Sequence, residues 1–119
     1  MSFKKLLNEL VSRVPGALGA IIADWEGEAV DQCGRMDDYE LKVIGAHKGI
    51  ILHNLRDVVK RLGDDQLQEL VITTARAQTL VLPVTIDYFL VLTLNRDAML
   101  GRALFEARRC IQALQQEIV

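Results

Sequence analysis

What this chain lacks narrows its roles before any residue is given one. No stretch of the 119 residues approaches the roughly 18 uninterrupted apolar positions of a bilayer-crossing helix. Charge of one sign is missing too: 14 lysines and arginines face 16 acidic residues, a formal net charge of -2 with both signs interspersed. No basic field therefore advertises nucleic acid or an anionic membrane. Cysteine is scarce, and Cys33 and Cys110 stand far apart in no paired spacing, so both read as small buried apolar residues in a reducing compartment. The opening MSFKKLLNELVSR alternates charge with leucine and lacks the continuous apolar stretch of a signal peptide. A cytoplasmic protein with no membrane insertion is the expectation.

Catalytic signatures are missing as well. There is no GxxxxGK[ST] phosphate cradle, no G-x-S-x-G elbow and no glycine cluster leading from a strand into a helix. The acidic pairs Asp37-Asp38 and Asp64-Asp65 fall at helix ends, where capping and turn roles suit them. His47 and His53 are six residues apart, about 120° around a helix, and cannot grip one metal as an i, i+4 pair would. The expectation is a protein that is no enzyme, with no cofactor, no metal and no catalytic residue.

What is present is half hydrophobic and a quarter charged, the composition of a folded protein, and long enough for one domain over residues 1–119. Ser2 caps a helical pattern of Phe3, Leu6, Leu7, Leu10 and Val14 that Pro15-Gly16 stops. ALGAIIA, a DWEG turn and EAVDQC then read as a hairpin. A second helix runs from about Tyr39, capped by Asp37 or Asp38, to Leu62 before Gly63. Strand-like runs follow at Leu67 to Thr74, Thr79 to Thr85 and Tyr88 to Leu94, with Pro83 marking an edge or a bulge. A last helix, capped by Asn95 or Asp97, carries Leu100, Ala103, Leu104, Ala107, Cys110, Ile111, Leu114 and Ile118 in one stripe. Apolar residues occupy both parities of the later strands, so the sheet should be covered on both sides by helices. The fold class is α/β in the α+β sense, a five-stranded antiparallel sheet in the order α-β-β-α-β-β-β-α.

The second helix has more apolar residues than one buried face needs. Leu41, Ile44, Ile51, Leu52, Leu55, Val58, Val59 and Leu62 form an arc that suffices to pack on the sheet. Val43, Ala46 and Ile50 lie nearly opposite, with His47, Asn54 and Asp57 beside them. A lone copy would leave that second arc in water, and clustered exposed apolar side chains mark a contact with another chain. Glu69, Leu70, Val71, Ile72, Thr73 and Thr74 form a β-branched run without lysine or proline, whose exposed edge would invite a second strand. A homodimer through Val43, Ala46, His47, Ile50 and Asn54 and through that strand is the expectation. Gly45 and Gly49, one turn apart, permit something to approach the helix closely. Trp25, Phe105 and the basic flank Lys42, Arg56 and Lys60 are candidates for contact with a further partner.

The element order, the opening VPGALGAIIADWEGEAV and above all the closing TLVLPVTIDYFLVLTLNRDAMLGRALFEARRCIQAL resemble the roadblock/dynein light chain family, including its MglB-type bacterial members. That resemblance implies a sheet with the middle helix on one face and the terminal helices on the other. It implies a homodimer in which middle helices pack together and third strands join two sheets into one. It implies, finally, a non-catalytic regulator that binds a Ras-like small GTPase and modulates its nucleotide state. The alternative within the family is a light-chain or scaffold subunit without effect on GTP hydrolysis. A small-molecule sensor is the weaker third reading, because the strand faces look filled by helices.

Overall fold

The structure, a computed structural model, describes residues 2–24, 26, 28–63 and 65–118, and within them not the side chains of Asp38, Leu41 and Lys42. Helix α1 spans Phe3–Arg13, and Ser2 caps it: its Oγ accepts the Lys5 N–H at 3.2 Å. Strands β1 (Ala17–Asp24) and β2 (Ala29–Gly34) form the first hairpin, where Asp24 Oδ1 accepts the N–H groups of Glu26 and Glu28, each at 3.0 Å. Helix α2 covers Asp38–Arg61, then β3 (Leu70–Thr73), β4 (Ala77–Pro83), β5 (Tyr88–Asn95) and α3 (Leu100–Ile118) complete the order. The sheet is antiparallel throughout, in the order β2-β1-β5-β4-β3, so β2 and β3 are its edges.

Both faces of the sheet are covered, as the strand parities require. Leu80, Leu82, Leu90, Leu92 and Leu94 point into a core shared with Leu6, Leu7 and Leu10 of α1 and Ala103, Ala107 and Leu114 of α3. Ile21, Val81, Phe89 and Val91 point the other way and meet Leu52 of α2. Two side-chain amides fasten the connections around α3, one joining β4 to the β5–α3 loop and the other joining α3 to the residue that follows β4. Gln78 Nε2 donates to the carbonyls of Arg96 and Ala98 at 3.2 and 3.1 Å, and Gln115 Nε2 donates to that of Val84 at 2.7 Å. Each bonds backbone oxygens that would otherwise lie between packed elements without a donor.

Several boundaries differ from the sequence expectation, each for a local reason. Asp37 stands at the α2 N-cap but makes no side-chain cap bond. Helix α3 starts past both proposed caps, because Asn95 Oδ1 accepts the Asp97 N–H at 3.1 Å and closes a turn there instead. Strand β3 is half the anticipated length, with Thr74 spent on the β3–β4 turn, its Oγ1 accepting the Ala77 N–H at 3.2 Å. Pro83 is the last residue of β4, where a missing donor costs no central ladder bond. Gly63, just past α2, has φ 112, a left-handed conformation that glycine adopts without a Cβ clash.

The larger correction concerns how α2 sits. Its sheet-facing side is centred on Gly45, Gly49 and Leu52, all buried, and not on the branched arc. A Cβ added at Gly45 would lie 3.0 Å from Ile21 Cδ1, and one at Gly49 only 2.7 Å from Phe89 Cζ. The object that approaches the helix at its glycines is the sheet itself. Ile51, Val58 and Leu62, assigned to the buried arc, are instead 39%, 51% and 77% exposed.

Gly49→Ala should therefore destabilise the fold although alanine is the better helix former. Displacing the buried Phe89 ring is overpacking, typically about 1–3 kcal/mol, against the roughly 1 kcal/mol that alanine gains over glycine in a helix. Gly101→Ala in α3 meets no atom within 4 Å and should stabilise by a few tenths of a kcal/mol up to about 1. Urea denaturation of the two variants beside the parent checks the opposite signs.

Candidate functional site

The sheet-facing side of α2 is narrow, so the helix has a broad outer face. Ile50 is 63% exposed, and Tyr39 at 73% stands toward one end, with Val58 and Leu62 toward the other. Val43 and Ala46 are half-buried beside this stripe, while His47, Asn54 and Asp57 are exposed along it. The structure thus brings together the five helix positions chosen from sequence, and adds Tyr39, Val58 and Leu62. Tyr39 had a usable signal, since it lies four residues before Val43 on the same side of the helix. Ile50 sits next to the midpoint of the 24-residue helix. Apolar side chains on this scale, in water along one helix, exceed what a solvated flank carries.

The strand positions separate into three groups. Leu70 and Ile72 are half-buried on the α2 side of the sheet, in register with Val81 and Thr79, whereas Val71 and Thr73 face the α1/α3 side and are exposed. Beyond β3 the chain places no further strand, so its outer backbone edge stays open among the described residues. Thr74 belongs to the turn. Glu69 precedes the strand and its carboxylate is gripped by Arg108 of α3 through a two-pronged bond, Nε to Oε2 at 3.0 Å and Nη2 to Oε1. Those bonds hold the Arg108 guanidinium above its ordinary pKa. Nothing in the sequence spacing links residues 69 and 108; only the sheet order brings them together.

Of the further partner candidates, Trp25 lies outside the described residues, as does the side chain of Lys42. Arg56 and Lys60 line a shallow depression of about 240 Å³ with His53, Asp57 and Ile86. Phe105 projects from α3, 56% exposed, with the Arg109 guanidinium 5.9 Å from its ring centroid. Sequence reading missed one buried charge. Glu106 is only 6% exposed, at the α1/α3 seam, with Arg13 at 4.0 Å and Arg109 at 3.7 Å from its carboxylate oxygens. Its signal was available: it falls three residues after Ala103 and four before Cys110, inside the buried stripe.

Among the described residues, no three His, Cys, Asp or Glu side chains lie close enough to hold a metal, and no helix is long and apolar enough to cross a membrane. Both cysteines are buried in the α1/α3 core, and Cys110 Sγ donates to the Leu6 carbonyl at 3.8 Å. Burial pushes the Cys33 thiol up to about 11 and that of Cys110 up to about 12. Such thiols hold almost no thiolate near neutral pH, and the thiolate is the nucleophile.

A Roadblock/LC7 domain model matches residues 3–94. The chain belongs to that family. Helix α3 lies beyond the matched segment, but similarity to solved structures includes it. The Roadblock/LC7 domain from Streptomyces avermitilis superimposes with a TM-score of 0.89 at 18% identity, over 97% of this chain and 96% of that one. The gliding protein MglB from Thermus thermophilus gives 0.85 at 21% identity, over 96% and 86%. MglC from Myxococcus xanthus gives 0.75 at 26% identity, over 98% and 99%. Comparison with curated protein sequences gave no match.

The thiols yield a prediction with a definite sign. Their folded pKa values lie above the unfolded value of 9.0, so the native state favours the neutral forms and their contribution is complete below about pH 9. That contribution is lost as pH rises through about 11 to 12. At about pH 8 iodoacetamide should label neither thiol in the native protein and both in concentrated guanidinium chloride, read by mass spectrometry. Rapid native labelling of either would contradict the burial described.

Proposed function

We propose that this protein is a non-catalytic, dimeric regulator that binds a Ras-like small GTPase and modulates its nucleotide state. The observation that carries the reading is the apolar outer face of α2, lying opposite the glycine face that rests on the sheet. A single copy has no means of covering it. Because Ile50 is next to the helix midpoint, a two-fold axis there would lay Tyr39 and Val43 of one copy against Val58 and Leu62 of the other. The open edge of β3 would pair with its own copy by the same symmetry, through Leu70–Thr73, with Glu69 held aside by Arg108. Membership of the Roadblock/LC7 family and the likeness of the fold to the gliding protein MglB and to MglC support a regulatory role.

Two measurements test this. Ile50→Glu should convert a dimer into a monomer by light scattering, weakening association by at least about 2 kcal/mol, or roughly thirtyfold in Kd, with helix content unchanged by circular dichroism. A wild-type protein that stays monomeric at high concentration would remove the basis of the proposal. For the activity, GTP turnover by a Ras-like GTPase from the same organism should change when the protein is added, and binding should depend on the nucleotide. Equal binding in both nucleotide states with unchanged turnover would instead identify a scaffold or light-chain subunit.

A further inference from the structure

The opposite side of the molecule has a different character. Helices α1 and α3 together carry six basic residues against three acidic ones, while the remainder of the chain carries eight against thirteen. All six of those lysines and arginines are exposed, and one of the three acids, Glu106, is buried. The chain is acidic as a whole, yet this face is basic.

The charge surrounds a groove. Between the two helices runs a cleft of about 260 Å³, with Leu6, Leu10 and Ala113 among its walls, Glu9 beside them on α1, and Arg13 and Arg109 at its rim over the buried Glu106. Both guanidinia face Glu106, at 4.0 and 3.7 Å, and those separations exceed a hydrogen bond. Glu106 thus fixes their position without using their donors, and among the described residues no other acceptor does. Arg102, Phe105 and Arg109 follow one another at i, i+3 and i+7 along the outer side of α3, with the Phe105 ring under the Arg109 guanidinium. Exposed aromatic and arginine side chains placed side by side are the residue types that anchor protein interfaces.

We infer that the α1/α3 face is a docking surface for an acidic, amphipathic segment of a second protein, seated in the groove and anchored by Arg13, Arg109 and Phe105. Charge complementarity selects the occupant: carboxylates meet guanidinia through planar paired donors. The apolar walls and the Phe105 ring ask for apolar side chains on the same segment, which a simple anion or a nucleic-acid backbone does not provide. The surface lies across the sheet from α2, so an occupant there leaves the proposed α2 contact of the dimer untouched.

The test is selection of random 16-residue peptides, displayed on phage, against the full-length protein. Arg102→Glu and Phe105→Ala are the comparison proteins. Both side chains are exposed, so these variants should keep the parent's circular dichroism, whereas Arg13→Gln/Arg109→Gln would strand the buried Glu106 and serves only as a second check. Enriched peptides should carry an excess of Asp and Glu with Leu or Phe at helical spacing. They should bind Phe105→Ala at least about tenfold more weakly, and release from the parent as salt rises. Enrichment without an acidic excess, or equal binding to Arg102→Glu and Phe105→Ala, would overturn the inference. So would two substitutes for the peptide: phosphatidylserine vesicles that bind the parent and not Arg102→Glu, or self-association beyond a dimer that Arg102→Glu abolishes.

Discussion

The contact on which the rest depends is the close seating of α2 on the sheet through Gly45 and Gly49, above Ile21 and Phe89. Removing two side chains from a helix lets its backbone approach the strands, and packing density then rests on the sheet's own large residues filling the space. The same arrangement limits what the helix can bury. A face made of glycine has little apolar surface of its own, so the branched residues of α2 are turned sideways and outward. The exposed stripe from Tyr39 to Leu62 is thus a by-product of how the helix is fixed. An ordinary leucine-faced helix in this place would stand higher and leave less apolar surface in water.

Most of the architecture was legible because it rests on periodicity and parity. The stripe of α3 and the opposed parities of Leu80, Leu82 and Val84 against Val81 translate directly into two cores on two sides of one sheet. Capping by Ser2 and the stop at Gly63 follow from local chemistry. The reading of α2 failed in one instructive way. A hydrophobic projection weights large apolar residues, so it placed Leu52 on the sheet correctly but turned Ile51, Val58 and Leu62 there with it, although the rest of the seat is a pair of glycines with no hydrophobic weight at all. The glycine spacing is visible in the sequence, but nothing local says what approaches it. Long-range polar contacts were likewise invisible: the Glu69–Arg108 fork and the seam of Glu106 with Arg13 exist only because strand order and helix packing bring distant segments side by side.

The molecule divides its surface by chemistry along the plane of the sheet. The α2 side is apolar and suited to symmetrical self-contact, whereas the α1/α3 side gathers basic residues on an otherwise acidic chain. Glu106 shows how such a surface is maintained: a carboxylate set inside the seam holds two arginines apart and outward, at the cost of one buried charge.

Strand order carries its own consequence for how the polypeptide is made. The ladder at the centre of the sheet pairs β1 with β5, from opposite ends of the chain. While the chain emerges from a ribosome, the early β1–β2 hairpin waits with the inner edge of β1 bare, and most of the protein must be synthesised before its proper neighbour arrives. Non-local pairing of this kind is slow and leaves apolar strands accessible to nascent neighbours. The run from Ala17 to Ala23, nearly all of it buried in the finished molecule, is the apolar surface left waiting through that interval.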